Sequence, residues 1–247
     1  MMYKKNKVLA IIPARSGSKG IKDKNIKKIC GYPMLAYSIV VALLSDEVDD
    51  VIVSTDSVKY ANIAKRYGAQ VPFLRPQELA QDQSLDIDYL YHALSEIAVC
   101  EDVPEYIVLL RPTTPMRRPE DVSGAIRLLK KHPESSAVVS VSEHTECPFK
   151  WMVIGDEGFL ESPFRNMKPD DVNLPRQNFP IMLEPDGYVD VLRSKIILEK
   201  REVYGDRAIK IDSPHGVVDI DTMRDFELTE KRIQYTEVYS YLLKEYK

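Results

Sequence analysis

Short apolar segments typical of buried strands alternate with periodic segments typical of helices along most of the chain. Strands are predicted at residues 8–12, 51–54, 71–74, 106–110 and 137–141, and helices at residues 33–44, 57–67, 87–99 and 119–131. Further strands are predicted at residues 187–192, 208–211 and 216–220, before a long final helix over residues 222–246. This order predicts a three-layer α/β fold in which a mostly parallel, Rossmann-like sheet is covered by helices on both faces.

One segment, residues 143–184, interrupts the alternation because it is rich in Pro, Asn, Asp and aromatic residues and has little periodicity. We predict that it forms an inserted arm, and that residues 1–142 and 185–247 together form the α/β domain. Large apolar side chains on such an excursion need a partner surface, and a symmetric dimer is the simplest one. The arm therefore predicts a homodimer. Its large aromatic residues are Phe149, Trp151, Phe159, Phe164 and Phe179.

The overall charge and composition argue against several classes of partner. The formal net charge of −4 is opposite in sign to that of a typical nucleic-acid-binding surface. No apolar run approaches the length of a membrane span, and the run at residues 8–12 is too short for a signal peptide. The cysteines are scattered and odd in number, which favours a reducing compartment. We expect a cytoplasmic protein that binds neither nucleic acid nor membrane.

The loop after the first predicted strand is unusually basic for a turn. Residues 13–25 read Pro-Ala-Arg-Ser-Gly-Ser-Lys-Gly-Ile-Lys-Asp-Lys-Asn, with two glycines among four cations. Glycine allows backbone N–H groups to approach an anion closely, and the cations neutralise it. The spacing fits neither a Walker A loop, because Ile21 follows Gly20, nor the three-glycine dinucleotide fingerprint. We therefore predict a phosphate site of another kind at the carboxyl edge of the sheet.

An acidic pair, Asp219 and Asp221, precedes the final predicted helix. In a strand, alternation would place both carboxylates on one side, where they could share a Mg²⁺ or Mn²⁺ ion. Beside a basic phosphate loop, this pair predicts a metal-assisted nucleotidyl transfer. The alternative interpretation is that Asp221 caps the final helix, which starts at Thr222.

Several segments, taken in order, resemble one known family. Residues 12–25 are similar to the signature I-P-A-R-x-G-S-K-G-I-x-x-K-N of the acylneuraminate cytidylyltransferases, the CMP-sialic acid synthetases. Residues 73–80, Phe-Leu-Arg-Pro-Gln-Glu-Leu-Ala, resemble F-L-R-P-x-E-L-A, and residues 110–117, Leu-Arg-Pro-Thr-Thr-Pro-Met-Arg, resemble L-Q-P-T-S-P-L-R. Pro-Arg-Gln at residues 175–177 and Asp-Gly-Tyr at residues 186–188 follow in the same order. The chain departs from the family at Asp86, Arg111, Thr114 and Asp186, where relatives carry Ser or Thr, Gln, Ser and Asn.

The resemblance implies a nucleotide-diphospho-sugar transferase fold and transfer of CMP from CTP to the anomeric hydroxyl of a nine-carbon 2-keto-3-deoxy sugar acid. It also implies that residues 143–184 are a dimerisation arm contributing to the sugar-acid site. With it, we assign as catalytic Arg15, Lys19, Lys24, Asp219 and Asp221, the two aspartates holding the metal. The nucleotide-binding residues are then Ala14, Arg15, Ser18, Lys19, Lys24, Asn25, Arg75 and Ser84. The residues facing the sugar acid are Arg111, Thr113, Thr114, Arg117, Arg165, Arg176, Gln177 and Asp186.

Three alternative functions stay open at this point. One is a cytidylyltransferase for 2-keto-3-deoxy-manno-octonic acid (Kdo), although the Pro-Arg-Gln segment favours the nine-carbon branch. The second is a GT-A glycosyltransferase using Asp219-x-Asp221, in which the acidic pair normally lies mid-domain. The third is a non-catalytic sugar-nucleotide sensor, which loss of the loop lysines or the acidic pair would indicate. Because Arg111 and Asp186 depart from the sialic acid pattern, we expect sialic acid to be a poorer substrate than a modified nine-carbon acid. The general base is not identified by the sequence.

Overall fold

The computed structural model describes residues 2–100, 102–144 and 146–246. The chain divides into two compact units, Met1–Ser140 with Asp186–Lys247, and Val141–Pro185. The boundaries predicted for the arm, at residues 143 and 184, lie close to these divisions, and the arm's role in dimerisation stays a prediction. Within the described residues, no helix is long and apolar enough to cross a membrane.

The strands of the described residues are β1 (Tyr3–Pro13), β2 (Lys28–Ile29), β3 (Tyr32–Pro33), β4 (Asp50–Ser54), β5 (Val103–Leu109), β6 (Ala137–Glu143), β7 (Val153–Ile154), β8 (Leu160–Glu161), β9 (Leu183–Arg193) and β10 (Ala208–Asp212). The first unit is built on a six-stranded sheet in the order β10-β6-β9-β5-β1-β4. Strand β1 pairs in parallel with both β4 and β5, whereas β9 runs antiparallel to β5. The sheet is therefore mixed, with a parallel core at β4-β1-β5.

The apolar run of β1 explains its central position. Its residues 8–12 are all buried, as expected for a parallel strand covered on both faces. In register, Ile11 lies between Ile52 of β4 and Leu109 of β5. Because these strands are parallel, the loops that follow them emerge at the same edge of the sheet, where α/β proteins bind ligands.

Six α-helices occur in the described residues. They are α1 (Met34–Leu43), α2 (Val58–Arg66), α3 (Asp86–Cys100), α4 (Pro119–Lys131), α5 (Met223–Ile233) and α6 (Glu237–Glu245). Helix α1 is buried on every side and contacts α2, α4 and α6, so it forms the centre of one helical layer. Helices α2, α4 and α5 are amphipathic and have one exposed face.

Two predicted strands are wrong. Residues 71–74 pair with no strand in the part of the chain that the structure describes, where the preceding Gln70 makes an isolated bridge to Ile52. Pro72 has no N–H group to donate to a ladder, which stops the pairing there. Residues 216–220 form a loop that begins in a turn at Gly216, whose φ is +82°. Among the described residues, the one backbone–backbone hydrogen bond of this loop runs from the N–H of Ile220 to the carbonyl of Thr113.

The single final helix predicted over residues 222–246 is two helices. Helix α5 ends at Ile233, and α6 starts after Thr236, whose side chain accepts a hydrogen bond from the N–H of Tyr239. Threonine competes with helical backbone for hydrogen bonds and is favoured at the first cap position, which explains the break.

The second unit contains a short hairpin, β7–β8, and little other regular structure. Three of its five large aromatic residues pack on one another, with the ring of Phe149 stacked 5.5 Å from that of Phe179 and 4.5 Å from that of Phe164. Trp151 and Phe159 remain exposed. The expectation that all five rings need an external partner is therefore too broad, because three of them form a small internal cluster.

Candidate active site

A cavity of about 570 Å³ opens in the first unit at the carboxyl ends of β1 and β5. The loop after β1 supplies one wall, the segment leading into α3 supplies another, and the loop after β5 supplies a third. The cavity therefore lies where the strand order places a ligand site. Its lining residues are Pro13, Arg15, Ser18, Lys19, Gly20, Lys24, Asn25, Arg75, Asp82, Ser84, Asp86, Tyr89, Arg111, Pro112, Thr113 and Asp221.

The loop after β1 is fixed by Asp56, which sequence analysis did not single out, and by Asn25, which it assigned to the nucleotide. Asp56, just after β4, accepts hydrogen bonds from the N–H and the hydroxyl of Ser16. The buried amide of Asn25 donates to the carbonyl of Arg15 at 3.0 Å. Gly17 has a φ of +74°, a conformation that favours glycine. The loop is thus held at both ends before any ligand arrives, and Asn25 supports its backbone.

Three of the four loop cations line the cavity, and each of these three is paired with a carboxylate. Arg15 Nη2 lies 2.9 Å from Asp82 Oδ1, and Lys19 contacts the other oxygen of the same carboxylate. Lys24 Nζ donates to the carbonyl of Ile220 at 2.9 Å and to Asp221 Oδ1 at 3.0 Å. Hydrogen bonds from Lys19 and Arg15 lower the pKa of Asp82 below its ordinary value. Asp82 was missed by sequence reasoning because nothing in its local sequence distinguishes it from a solvated surface acid.

Arg75 is fixed against strand β4. Its guanidinium is buried, donates to the carbonyl of Ser54 at 2.8 Å and to the Ser54 hydroxyl at 3.0 Å, and lies 4.4 Å from the centre of the Tyr89 ring. Burial lowers the pKa of Arg75 from its ordinary value. Ser84 also lines the cavity, but its hydroxyl is used within its own turn, where it accepts from the N–H of Gln81. Arg75 is therefore a rigid part of the cavity wall. The Ser84 hydroxyl is occupied by a hydrogen bond within its own turn.

Arg111 bridges two carboxylates instead of facing the cavity alone. Its Nη2 pairs with Asp86, and its Nη1 lies 2.8 Å from Asp190 Oδ2. Burial alone would lower the pKa of Arg111, but the carboxylates of Asp190 and Asp86 outweigh it and raise that pKa. Asp190 was not predicted as a site residue. It lies within a predicted strand, and its partner Arg111 is 79 residues away, so the local sequence does not show that the two residues pair.

The structure gives Arg117 a role other than contact with a sugar acid. Its side chain is 1% exposed, and burial lowers its pKa to about 9. All its described partners are protein oxygens, so it ties the loop after β5 to β9 and has no exposed nitrogen to offer a ligand. These partners are the carbonyls of Arg111, Thr114, Gly187 and Tyr188 and the hydroxyl of Ser38.

Other predicted residues of this unit lie off the cavity wall. Ala14 is fully buried, and Thr114 is 2% exposed, with a hydroxyl that has no partner among the described residues. Asp186 Oδ1 accepts from the hydroxyl of Ser140 at 2.8 Å and from the N–H of Tyr188. These contacts indicate supporting roles at the edge of the site, whereas Thr113 and Ser18 line the cavity directly.

The acidic pair occupies a loop, not the predicted strand, yet both side chains are exposed on either side of the buried Ile220. Asp221 lines the cavity beside Lys24. The helix-cap interpretation of Asp221 is wrong, because Thr222 caps α5 in a reciprocal box with Asp225. The described residues contain no group of three metal-ligating side chains. Two exposed carboxylates nevertheless fit Mg²⁺, which typically binds one or two carboxylates together with substrate phosphates.

The remaining predicted residues, Arg165, Arg176 and Gln177, belong to the second unit. Within it, Arg176 Nη2 donates to the carbonyl of His144 at 3.1 Å and lies 3.4 Å from Glu143. A cavity of about 410 Å³ beside Arg176 and Gln177 is bounded by Phe179, Pro180 and Ile181, whereas Arg165 is exposed elsewhere in the unit. The part of these residues in a sugar-acid site stays a prediction.

Comparison with known proteins identifies the family. The sequence profile of the cytidylyltransferase family matches residues 9–242. The chain is 34% identical over 236 residues to a CMP-N,N'-diacetyllegionaminic acid synthase of Legionella pneumophila, covering 94% of this chain and 98% of that protein. It is also 34% identical over 225 residues to an N-acylneuraminate cytidylyltransferase of Escherichia coli, covering 91% of this chain but only 51% of the relative.

A solved structure supports the fold. The structure of a CMP-2-keto-3-deoxy-manno-octonic acid synthetase complexed with CTP superposes with a TM-score of 0.65 over 91% of this chain and 97% of that one, at 17% sequence identity. The predicted Rossmann-like nucleotidyltransferase fold is therefore confirmed. The resemblance drawn from the ordered sequence segments is confirmed as well, and this chain belongs to the cytidylyltransferase family and is a nucleotidyltransferase.

Proposed function

We propose that this enzyme transfers CMP from CTP to the anomeric hydroxyl of a nine-carbon 2-keto-3-deoxy sugar acid and releases pyrophosphate. The observation that carries this proposal is the convergence of Arg15, Lys19 and Lys24, all from one glycine-containing loop, on the cavity at the carboxyl edge of the parallel strands. A triphosphate and a sugar carboxylate repel each other, so the site must neutralise charge before the hydroxyl can attack. Fixed cations in a preformed loop do this with little reorganisation.

The triphosphate would lie along the loop after β1. Arg15 and Lys19 would exchange Asp82 for phosphate oxygens, and Lys24 would contribute from the side of Asp221. Displacement at the α-phosphorus builds charge on the equatorial and leaving oxygens, which these cations would stabilise. Arg75, held rigidly on Ser54, would orient the nucleoside.

Asp219 and Asp221 would hold a Mg²⁺ or Mn²⁺ ion. Such an ion, when bound, supplies charge neutralisation at the phosphates. Asp221 is the better placed of the two, because it lines the cavity beside Lys24.

The acceptor would occupy the side of the cavity formed by the loop after β5, where Thr113 offers a hydroxyl. A nine-carbon acid is favoured over Kdo because the relatives named above, similar along most of this chain, are a CMP-N,N'-diacetyllegionaminic acid synthase and an N-acylneuraminate cytidylyltransferase. The Kdo synthetase is similar at 17% identity, which bears on fold alone. Arg176 and Gln177 would approach the acid from the arm of a homodimer, and the enzyme would work in the cytoplasm.

The experiment is a measurement of pyrophosphate release with CTP and a panel of acids: sialic, legionaminic, pseudaminic and Kdo. We expect turnover with at least one nine-carbon acid, and a higher kcat/KM for a modified acid than for sialic acid. Turnover with Kdo alone would contradict the proposal. Pyrophosphate release from CTP without any acid would instead indicate a different acceptor.

A further inference from the structure

A chain of hydrogen bonds crosses the cavity wall between α3 and β9. The hydroxyl of Tyr89 donates to Asp86 Oδ1 at 2.8 Å, and Arg111 pairs with Asp86 Oδ2. Arg111 also donates to Asp190 Oδ2 at 2.8 Å, which in turn accepts from the hydroxyl of Tyr204 at 3.2 Å. The network thus joins two carboxylates through one guanidinium, and contacts within the protein fix all three groups.

The three charged groups differ in how far they face the cavity. The side chain of Asp190 is 1% exposed, that of Arg111 is 24% exposed and that of Asp86 is 38% exposed. Asp86 is therefore the group that the network presents to a ligand. A carboxylate has about four lone-pair positions and donates nothing when ionised. The two described partners of Asp86 leave it able to accept further hydrogen bonds.

The positive charge of Arg111 is neutralised by the two carboxylates of the network. Two carboxylates lie within hydrogen-bonding distance of its nitrogens, so the group offers little net positive charge to an incoming sugar carboxylate. Arg111 does offset the repulsion that an unpaired Asp86 would exert on a nearby triphosphate. It also supplies the partner that the buried Asp190 requires. The two departures from the family pattern at residues 86 and 111 are therefore one feature, because they contact each other.

The strand order indicates which substrate Asp86 faces. Asp86 lies between two halves of the site. Tyr89 joins it to Arg75, which is held on β4 on one side of β1. Arg111 joins it to Asp190 of β9, beyond β5 on the other side, so the charged partner of Asp86 belongs to the β5 and β9 side. With the triphosphate on the loop after β1, the β5 and β9 side is left for the acceptor. We propose that Asp86 is a specificity-determining residue that accepts a hydrogen bond from an N–H or O–H group of the sugar acid, with Arg111 as its counter-ion. This inference rests on the function proposed above.

The first test is the variant Asp86→Asn, which keeps the shape and removes the charge. We expect its KM for the best sugar acid of the panel to rise about 10-fold or more, because a hydrogen bond to a charged group is lost. The KM for CTP should stay within about twofold, since repulsion of the triphosphate is not increased. The matched control is Asp88→Asn, which removes one charge from the same first turn of α3 at a position that does not line the cavity.

The second test uses Arg111→Gln and the double variant Asp86→Asn/Arg111→Gln. The single variant leaves both carboxylates without a counter-ion, so CTP binding measured by calorimetry without any acid should weaken about 10-fold. The double variant should recover most of the CTP affinity but keep the raised KM for the acid. A purely structural role would lower both affinities together and would give no such split.

Three results would overturn the inference: an unchanged KM for the acid in Asp86→Asn, a larger effect there on CTP than on the acid, or no recovery of CTP binding in the double variant. Failure of the proposed function has a different signature, because the wild-type enzyme would then turn over no acid in the panel. The calorimetric comparison of Arg111→Gln with the double variant would still test the counter-ion role in that case.

Discussion

Arg15, Lys19 and Lys24 each contact a carboxylate of the protein itself, so phosphate has to compete with that carboxylate for them. Asp82 occupies the first two and Asp221 the third. Such internal partners keep long cationic side chains oriented, which reduces the entropy lost when substrate binds. They also weaken the hold on any phosphate group, including the pyrophosphate that has to leave. We therefore expect Asp82 to lower the affinity of the site for phosphate groups and so to speed the release of pyrophosphate.

Replacing Asp82 should change this affinity in a measurable way. In Asp82→Asn, Arg15 and Lys19 lose their acidic partner, and we expect pyrophosphate to bind about fivefold more tightly. The measurement is competitive inhibition of turnover by pyrophosphate. Asp46→Asn is a suitable control, because it removes the same charge from an exposed position outside the cavity. Weaker pyrophosphate inhibition in Asp82→Asn would mean that Asp82 assists binding instead.

Lys19→Ala should weaken the interaction with the triphosphate of CTP, whereas Asp82→Asn should strengthen the binding of pyrophosphate. Loss of a charge-assisted contact to the triphosphate should reduce kcat/KM for CTP by about 100-fold. The side chain is 83% exposed and pairs only with Asp82 among the described residues, so thermal stability should be unchanged. Near-normal turnover in this variant would remove Lys19 from the site.

The site could be predicted where a residue's role depends on its local sequence, and not where it depends on a distant partner. The basic loop and Asp221 were predicted from glycines and charges at fixed spacing, and Arg75 and Thr113 from the resemblance of their segments to the family. All of them line the cavity. Asp82, Asp86 and Asp190 gained their roles only when the fold brought them to Arg15, Lys19 and Arg111. The same applies to Arg117, whose burial follows from packing between two loops and β9.

At the scale of elements, apolar runs bounded by turn residues gave the strands of the parallel core and four of the helices correctly. The errors lie at edges and ends. Residues 71–74 and 216–220 carry strand-like composition, but proline and a positive-φ glycine prevent continuous pairing. The break between α5 and α6 depends on the helix cap at Thr236. A threonine side chain that caps a new helix and a backbone that continues the old one differ little in free energy, so the sequence does not show which of the two forms.

The start of α5 separates the structural role of Thr222 from the metal-binding role proposed for Asp221. Thr222→Ala removes a cap that satisfies a backbone N–H, so the free energy of unfolding should fall by about 1 kcal/mol. The Mg²⁺ concentration that gives half-maximal rate should be unchanged in Thr222→Ala. Asp221→Asn should keep wild-type stability in urea but require a higher Mg²⁺ concentration for half-maximal rate.

Full activity of the wild-type enzyme in excess chelator would contradict the metal assignment altogether. If Asp221→Asn lowered stability as much as Thr222→Ala did and left the Mg²⁺ titration unchanged, the carboxylate would be a structural group.

At the scale of the whole molecule, the question is what covers the apolar side chains of the second unit. Its three-ring cluster explains Phe149, Phe164 and Phe179, but Ile154 and Phe159 of the hairpin are 81% and 68% exposed. Leaving each such side chain in water forfeits about 1.5–3 kcal/mol relative to full burial. A second copy of the chain is the simplest cover, since one self-complementary contact buries both hairpins at once.

We therefore expect sedimentation at micromolar concentration to give twice the chain mass of 28.3 kDa. The double variant Ile154→Glu/Phe159→Glu should sediment as a monomer, because the free energy needed to bury two unpaired charges exceeds the free energy gained from the dimer contact. Tyr235→Glu is the matched control: this side chain is 84% exposed but belongs to the first unit, so the variant should remain a dimer. A monomeric wild-type protein would refute the dimer. A hairpin variant that stays dimeric would place the interface elsewhere on the chain, and the proposed approach of Arg176 to the sugar acid from the arm would then lose its support.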